Sequence, residues 1–518
     1  LLERREAEGE YLTLATVPAD TVSYTDTGLS PETGYTYRVT SQIPGLSPPS
    51  ATVSVTLPER WAVPRARPVL DPAGDGSVAL TFAGADAHYT VEESDDFDGW
   101  EPLRPPFSLG RFESFAVATE AGDARAFFRV HSHAWERPRQ IGLDRPFEVP
   151  PEPDGETWNV TDFGASPIVT TNDDAIGIKV ALDLAEAGDV VFIPQGTYTL
   201  RQVLEIPNGV TLRGAGMDQT LLVTEGIDRA ILVQPLQHDI RLEHFAITYL
   251  GDTEELEFGV YIGSVRRGDN SYRIRIDSLR IERFAVHGVS LRDCHHVLVK
   301  DCVIRNATNL GGGGRGYGVA LNYPDNHNNW ITGNTIGPVI RHAVLLQYFA
   351  HNNLVEHNLA LENSEDAFDL HGEDEYLNEL RHNTARDGAR DGFGVGNTGS
   401  THDRSGPNNW IHHNTVENSL AGIEVIQDSD LVFVDDNTFT GNTYGIRVHN
   451  LGGSHLYFRG NTIRGNEVGV SLSDARTVRI LGNHFEDQSE TALEMLSGVE
   501  DLVEEGNTFS GNSRDRSP

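Results

Sequence analysis

The sequence predicts an all-β solenoid, because one short pattern returns eight times between residues 288 and 472. In each copy a small residue is followed by an apolar residue, a variable residue and a second apolar residue. The copies begin at Gly288, Gly318, Ala343, Ala367, Gly392, Gly422, Gly445 and Gly469. Subtracting neighbouring positions gives intervals of 30, 25, 24, 25, 30, 23 and 24 residues. A near-fixed period of this length, with one strand-like unit per copy, is typical of stacked coils.

Composition supports this fold class and excludes one class of partner. The 518 residues include 52 Gly and 25 Pro, which favours a turn-rich β protein. The formal net charge is -37, so a nucleic-acid partner, which needs a basic face, is excluded. No apolar run is long enough to span a membrane. Cys294 and Cys302 are too few for a disulfide framework and are expected to be buried free thiols, and we expect a monomer.

Four segments are predicted. Residues 1–57 alternate apolar and polar positions, and GLSPETGYTY at 28–37 resembles a fibronectin type III module, of which only the later strands would be present. Residues 58–150 form a second β-sandwich-like module, for which a spacer role is expected. Residues 151–157 are a proline-rich linker. The solenoid is predicted over 158–518.

The start of the predicted solenoid has a distinctive order of elements. NVTDFGA at 159–165 is followed by an Asn/Asp cap and apolar residues at helical spacing over 171–185, and then by strand-like segments at 189–198 and 210–214. This order resembles the pectate-lyase-like right-handed parallel β-helices, in which a short helix plugs the open end. The resemblance implies a right-handed parallel β-helix with an N-terminal capping helix.

A second repeated feature is an asparagine at one turn of every coil. These residues are predicted to stack into a hydrogen-bonded structural ladder rather than a binding array. They are Asn334, Asn358, Asn383, Asn414, Asn437, Asn461, Asn483 and Asn507.

The chemistry is expected on one stripe of the solenoid. Side chains alternate along a strand, so the variable residue and the residue after the second apolar position should face outward. Successive coils then present Gln347, Asp369, His371, Glu424, Arg447 and His449, with a gap at Gly394 and Gly396. A gap flanked by ionisable groups suits a sugar ring. Tyr348, Asn322 and Arg292 are further substrate-binding candidates. The loop at 397–406 adds His402 and Arg404.

Part of this stripe resembles the alginate carbon-5 epimerases and related uronan-modifying β-helix enzymes. The matching residues are Phe368, Asp369 and His371, followed one coil later by DGF at 391–393. The resemblance implies a catalytic role for Asp369 and His371, and Asp391 becomes a substrate-binding candidate. The tyrosine of that family falls on Asp366, and Tyr348 or Tyr376 could replace it.

The favoured hypothesis is a secreted or periplasmic polysaccharide lyase that acts on an anionic, uronate-containing polymer by β-elimination. His371 would be the base, since neither lysine (Lys179 or Lys300) lies on the stripe. Arg404 or Arg447, or a bound calcium ion, would neutralise the uronate carboxylate. Asp366, Glu373 and Asp374, with Asp369 and Asp391, are the candidate calcium ligands. An export signal would lie upstream of this sequence.

Three alternatives stay open. Hydrolysis would use paired carboxylates: Asp369 and Glu424 lie two coils apart, about 9.6 Å, which fits an inverting glycosidase. Asp366 and Asp391 lie one coil apart, nearer the retaining separation. Carbon-5 epimerisation would use the same proton abstraction as the lyase. A non-catalytic carbohydrate-binding adhesin or fibre is the fourth possibility.

Overall fold

The computed structural model describes residues 141–168, 172–251, 255–266, 268, 270–323, 325–397 and 404–517, and the backbone of eleven strands before residue 134. The chain forms two compact units, Leu1–Arg139 and Gln140–Pro518. No helix in these described parts is long and apolar enough to cross a membrane.

The first unit is built from two sheets. One has eight strands: Leu2–Glu6, Leu12–Ala15, Gly34–Val39, Thr52–Thr56, Ala87–Ser94, Glu101–Pro102, Phe107–Leu109 and Phe127–His133. The other has three strands: Pro68–Pro72, Val78–Ala83 and Ser114–Ala118. Strands Thr52–Thr56 and Phe127–His133 pair in parallel, so the larger sheet contains strands from both predicted modules. The boundary at residue 57 and the fibronectin resemblance stay predictions.

The second unit is a solenoid of three parallel sheets, and each coil contributes one strand to each of them in turn. Sheet A contains Thr157–Asn159, Val190–Ile193, Thr211–Gly214, His238–Glu243, Ser271–Asp277, Cys294–Lys300, Trp330–Thr332, Leu354–Glu356, Glu379–Arg381, Asn409–His412, Ser429–Asp435, Gly453–Arg459, Arg476–Leu481 and Glu500–Glu505. Sheet B contains Gly196–Leu200, Thr220–Thr224, Ala246–Tyr249, Arg280–Glu282, Val303–Arg305, Thr335–Ile336, Leu359–Leu361, Thr384–Arg386, Thr415–Glu417, Thr438–Thr440, Thr462–Arg464, His484–Glu486 and Thr508–Ser510. Sheet C contains Leu204–Glu205, Arg229–Val233, Phe258–Gly263, His287–Arg292, Tyr317–Leu321, Val344–Leu346, Phe368–Leu370, Phe393–Val395, Ala421–Val425, Tyr444–Val448, Val468–Leu472 and Thr491–Met495.

The core is a continuous apolar column enclosed by these sheets. Residues at the same place in successive coils stack, as Phe368 and Phe393 do with ring centroids 5.0 Å apart. Each coil buries its apolar side chains against those of the coils on either side. A single coil could not remove this apolar surface from water by itself. Cys294 and Cys302 are buried, unpaired thiols in this column, as predicted.

A helix closes the first coil. The 3-10 helix Val160–Phe163 precedes the α-helix Ala175–Leu184, whose apolar face, including Ile178 and Leu182, joins the core. The helix is shorter than the predicted 171–185. The Asp174 carboxylate accepts hydrogen bonds from the backbone of Ser166 and Thr199 instead of capping the helix, and so ties the helix start to the first coil.

The predicted asparagine ladder is confirmed at every step. Each Oδ1 accepts hydrogen bonds from both the backbone N–H and the Nδ2 of the asparagine one coil earlier. These distances all lie between 2.8 and 3.1 Å from Asn334 to Asn507. The Nδ2 groups also donate to main-chain carbonyls, as Asn383 does to Val355. A second ladder, which the sequence analysis missed, joins Asn329, Asn353, Asn378 and Asn409.

The segment predicted as a linker is bound along sheet A. Arg241 donates to the carbonyls of Pro150 and Pro151 and pairs with Glu152 at 2.6 Å. The backbone of Gly155 donates to Gly188. These contacts fix the path of the chain into the first coil.

Candidate active site

The candidate site lies on the outer face of sheet C. The strand register aligns Leu345, Asp369, Gly394, Glu424 and Arg447 in one row across five coils. This is the row that strand alternation predicts. Its central members are nevertheless more buried than an exposed stripe would be: Asp369 is 1% exposed and Glu424 4%. The ring of His371 lies against Asp369, and that of His449 lies against Glu424.

A break in the strand alternation brings a second row onto the same face. In a regular strand successive N–H groups point in opposite directions, but those of Ala367 and Phe368 both donate to the next coil, to the carbonyls of Asp391 and Gly392. Asp366 therefore shares a face with Asp369, three residues later. The residue before the small position contributes to this row in each coil, which adds His287, Tyr317, His342, Asp366 and Asp391.

The centre of the site is the pair His371 and Asp369. The Nδ1 of His371 lies 2.5 Å from Asp369 Oδ2, and both side chains are buried. Burial lowers the pKa of His371, but the Asp369 carboxylate and its hydrogen bond outweigh this and raise it to about 9. Burial raises the pKa of Asp369, but the charge of His371 leaves it below its usual value. The resting pair is an imidazolium–carboxylate pair at neutral pH.

His342 is a buried neighbour of this pair that the sequence analysis missed. Its Nδ1 donates to the carbonyl of Asp366 at 2.9 Å and lies 3.4 Å from Asp369 Oδ2. Burial lowers the pKa of His342 to about 4, so the ring is neutral. Tyr317 packs against it edge-on, with ring centroids 5.0 Å apart. This buried phenol is one coil further along the second row. Aligning the repeats at the position before the small residue would have revealed both.

Two carboxyl groups, those of Asp366 and Asp369, converge at Gly394, and a third acid, Asp391, belongs to the neighbouring row. A Cβ at this position would lie 2.7 Å from Asp366 Oδ2 and 3.2 Å from Asp369 Oδ1, so the missing side chain makes room for both. Burial, followed by the charge of Asp369, raises the pKa of Asp366 well above its usual value. Burial and the charge of Glu424 raise the pKa of Asp391 to about 7. Neither oxygen of Asp391 accepts a hydrogen bond from an N–H or hydroxyl donor of the described residues.

Arg390 places a guanidinium beside Asp366 and Asp391. Its guanidinium lies 3.8 Å from Asp366, 3.9 Å from Asp391 and 3.5 Å from Glu424, and 3.2 Å from Glu365. The sequence predicts Arg404 or Arg447, rather than Arg390, as the cation that neutralises the uronate carboxylate. Arg390 precedes Asp391 outside the strand pattern, so alternation gave no signal for it.

Glu424 anchors the other side of the gap. Its Oε1 lies 2.6 Å from His449 Nε2 and 3.6 Å from Arg447 Nη1. Burial raises the pKa of Glu424, but these neighbours and Arg390 leave it below its usual value. Glu424 is therefore ionised while Asp391, one coil away, can hold a proton at neutral pH.

The loop predicted over the site begins and ends there. Asn397 Nδ2 lies 3.1 Å from His371 Nδ1. The Ser405 hydroxyl donates to the carbonyl of Leu370 at 2.8 Å and lies 3.2 Å from Glu375, a fully buried acid whose pKa burial raises to about 8. Arg404 pairs with Asp374 at 3.2 Å on the exposed side. His402 lies outside the described residues.

The predicted substrate-binding residues follow the same face toward the N-terminal coils. Gln347 donates to Glu373 at 2.8 Å. Tyr348 is 36% exposed and stacks on Tyr323, with ring centroids 5.6 Å apart. Asn322 and Arg292 lie further along this stripe. Tyr376, the other tyrosine considered as a substitute for the missing phenol, instead stacks on His351.

The candidate calcium ligands are dispersed among different partners. Glu373 is bound by Gln347 and Asp374 by Arg404, while Asp366 lies at Gly394. Two His/Asp groups among the described residues bring three ligand atoms within 4.8 Å of one another: Asp325, His327 and His351, and His342, Asp369 and His371. Both are rich in nitrogen ligands, whereas calcium prefers oxygen. Calcium at the predicted set stays a prediction.

Comparison with known proteins identifies the fold. Residues 264–425 and 396–514 match the family model described as the right handed beta helix region. The solenoid is a right-handed parallel β-helix. No curated protein sequence gives a significant match.

Solved structures similar to this β-helix come from diverse proteins. A tailspike protein double mutant of E. coli bacteriophage HK620 has 13% identity and a TM-score of 0.53 over 70% of this chain and 76% of that chain. The mannuronan C-5 epimerase AlgE6 A-module of Azotobacter vinelandii has 18% identity and a TM-score of 0.43 over 70% of this chain and 96% of that chain. A GH87 α-1,3-glucanase of Streptomyces thermodiastaticus has 15% identity and a TM-score of 0.42 over 87% of this chain and 87% of that chain. At these identities the likeness extends to the fold alone.

Proposed function

We propose that this protein is a polysaccharide lyase that cleaves a uronate-containing polymer by β-elimination. The observation that carries the proposal is the buried pair of His371 and Asp369, set 2.5 Å apart, near two carboxyl groups, Asp366 and Asp391, whose pKa is raised by burial. Removal of the proton beside a uronate carboxylate requires a base, here His371. It also requires neutral hydrogen-bond donors, here protonated carboxyl groups, near the substrate oxygens.

His371 is the base in this mechanism. Its neutral form removes the hydrogen on carbon 5 of the uronate, and Asp369 stabilises the imidazolium that results. The contact between His371 Nδ1 and Asp369 fixes the orientation of the ring, and Asn397 packs beside it. The raised pKa of about 9 makes the neutral form a minor species at pH 7 but a strong base when it occurs.

Protonated carboxyl groups and Arg390 stabilise the charge on the substrate. Removing a proton beside a carboxylate places negative charge on its oxygens. Asp391, with a pKa raised to about 7 by burial and Glu424, can donate a hydrogen bond to those oxygens. Arg390 lies 3.5–3.9 Å from Asp366, Asp391 and Glu424, so it can shift between these acids and the substrate.

The electron and proton balance closes within the site. The carbon 5–hydrogen bond breaks and its electrons form the double bond between carbons 4 and 5. The bond from carbon 4 to the glycosidic oxygen breaks, and that oxygen receives the proton that His371 had taken. The products are one chain with a new reducing end and one with an unsaturated uronate. Epimerisation shares the first step and differs in returning a proton to carbon 5.

Hydrolysis is the second candidate, and a specific observation favours it. Asp369 and Glu424 lie in one register row on either side of Gly394, about 9.6 Å apart by coil spacing. Inverting glycosidases separate their carboxyl groups by roughly 6.5–9.5 Å. Asp391, which can carry a proton at neutral pH, could serve as the acid beside Glu424.

A panel of polysaccharides tests the proposal. Alginate, polygalacturonate, hyaluronan and the uncharged α-1,3-glucan would be incubated with the full chain and with His371→Ala. We expect the full chain to produce new ultraviolet absorbance from an unsaturated uronate, and the variant to produce none. New reducing ends without that absorbance would instead indicate hydrolysis, and binding without conversion would indicate an adhesin. Because such polymers occur outside cells, the proposal includes an extracellular or periplasmic location.

A further inference from the structure

A stripe of arginine and tyrosine side chains extends from the candidate site toward the N-terminal coils. Arg292 is its centre. The guanidinium carbon lies 4.6 Å from the ring centroid of Tyr261 and 4.5 Å from that of Tyr323. Tyr323 in turn stacks on Tyr348. The stripe is therefore continuous from Tyr261 to the coil before Asp369 and His371.

No carboxylate of the described residues forms an ion pair with Arg292. Its Nε donates to Ser290 Oγ at 3.2 Å, and no ion pair or other hydrogen bond joins it to the rest of the described residues. This is unusual in a chain with 77 acidic residues and 40 basic ones, most of whose described arginines pair with Asp or Glu. The neighbouring His287 is fully buried, and burial together with the Arg292 charge lowers its pKa to about 3. A second guanidinium, that of Arg229, lies 4.5 Å from the same Tyr261 ring, but it is paired with Asp228.

The contacts around Arg292 orient it for a ligand. Ser290 is fully buried and also lies 3.1 Å from His287 Nδ1, so the hydroxyl that receives Nε is itself fixed. The rings of Tyr261 and Tyr323 both lie within 4.6 Å of the guanidinium carbon. The terminal nitrogens remain available, and a guanidinium binds a carboxylate or sulfate through two parallel hydrogen bonds. Tyrosine rings at the same place can pack against the apolar faces of sugars.

The two ends of the site differ in charge. Beyond Glu424 the same row continues with Arg447, which already contacts Glu424, then Ser471, which donates to Glu494 at 2.7 Å. That side offers no unpaired cation among the described residues of the row. An anionic polymer is therefore favoured on the N-terminal side only.

We propose that Arg292, held between Tyr261 and Tyr323 and continued by Tyr348, is a binding subsite for an anionic sugar residue of the polymer. It lies three coils from His371, about 14 Å, so it binds the substrate several sugars away from the reacting bond. This rests on the proposed function in placing the reacting bond at His371. It adds that the polymer carries repeated carboxylate or sulfate groups and runs across the coils toward the N-terminus.

Binding to size-fractionated alginate and polygalacturonate oligosaccharides tests this subsite. Calorimetric titrations would use the full chain carrying His371→Ala, so that no cleavage occurs. We expect Arg292→Ala to lower the affinity for long oligosaccharides roughly tenfold, and the loss to grow with oligosaccharide length and to shrink in high salt. Tyr323→Ala should produce a similar length dependence. Arg292→Lys, which keeps the charge without the planar fork, should bind with intermediate affinity.

Arg459 provides the matched control. It lies 5.7 Å from the rings of Phe433 and Tyr457 on sheet A, away from the candidate site, and pairs with Asp435. Arg459→Ala should leave the affinity unchanged. Equal binding by the Arg292→Ala and parent chains, or no binding of either oligosaccharide by the parent chain, would overturn the subsite. If Arg292→Ala weakens binding while the wild type yields no unsaturated product, the subsite stands and the lyase assignment fails.

Discussion

Asp369 and His371 lie two residues apart in the chain, and the Nδ1 of His371 is 2.5 Å from Asp369 Oδ2. Both side chains are buried. The carboxylate raises the pKa of the imidazole to about 9, despite the burial that lowers it. A charged pair out of water must be well hydrogen-bonded to be stable, and His342 Nδ1 lies 3.4 Å from the same oxygen of Asp369. The pair combines a strong base with a fixed orientation.

Replacing Asp369 tests the dependence of the base on its carboxylate. Asp369→Asn should lower kcat by about 100- to 10,000-fold, because the amide cannot stabilise the imidazolium. The pKa of His371, followed by NMR of the ring protons, should fall from about 9, since burial then acts without the carboxylate. Asp387→Asn, on an exposed turn next to Asn418, is the control and should leave both unchanged. An unaltered His371 pKa would contradict the pairing.

The pH profile of kcat/KM follows from two opposed requirements. Neutral His371 increases as pH rises toward about 9, and protonated Asp391 decreases above about 7. Their product rises up to about pH 7, is flat to about pH 9 and falls beyond.

The variant Asp391→Asn separates the two limbs of this profile. The amide keeps a hydrogen-bond donor but no longer titrates, so kcat/KM should continue to rise between pH 7 and 9 and then level off. A variant profile that stays flat between these values would exclude Asp391 as the group that must carry the proton.

The gap at Gly394 can be closed with one methyl group. The Cβ of Gly394→Ala would lie 2.7 Å from Asp366 Oδ2, so the carboxyl must move, while the backbone conformation tolerates alanine. We expect kcat/KM to fall by roughly 10- to 100-fold with little change in Tm. Gly312→Ala is the control, because its Cβ would meet no atom within 4 Å. Full activity in Gly394→Ala would show that the carboxyl arrangement is not needed.

Stability should depend on the asparagine ladder. Asn383→Ala removes the acceptor for Asn358 and the donors to Val355 and Asn414, and leaves buried polar groups without partners. The free energy of unfolding should fall by about 2–4 kcal/mol in denaturant titrations. The exposed Asn418, whose amide contacts Asp387, offers the comparison: Asn418→Ala should cost less than about 0.5 kcal/mol. Similar losses in both variants would argue against the ladder as a stabilising feature.

The sequence was sufficient for the solenoid because each coil repeats one small-apolar pattern and one asparagine. It was also sufficient to align Asp369 with Glu424, since strand register follows from that repeat. It did not predict that His342 and Asp366 share their face, because the two-residue alternation fails at Ala367, where two successive N–H groups donate in the same direction. Nor did it predict Arg390, a cation before the strand whose position depends on the packing of three coils.

Hydrogen exchange at carbon 5 of the substrate tests the central claim most directly. The full chain would be incubated with a uronate polymer in deuterated water and the products analysed by NMR. Proton abstraction by His371 predicts a product unsaturated between carbons 4 and 5, or deuterium at carbon 5 where a proton is returned, and neither with His371→Ala. Cleaved chains that keep their original hydrogen at carbon 5 and carry no double bond would contradict it.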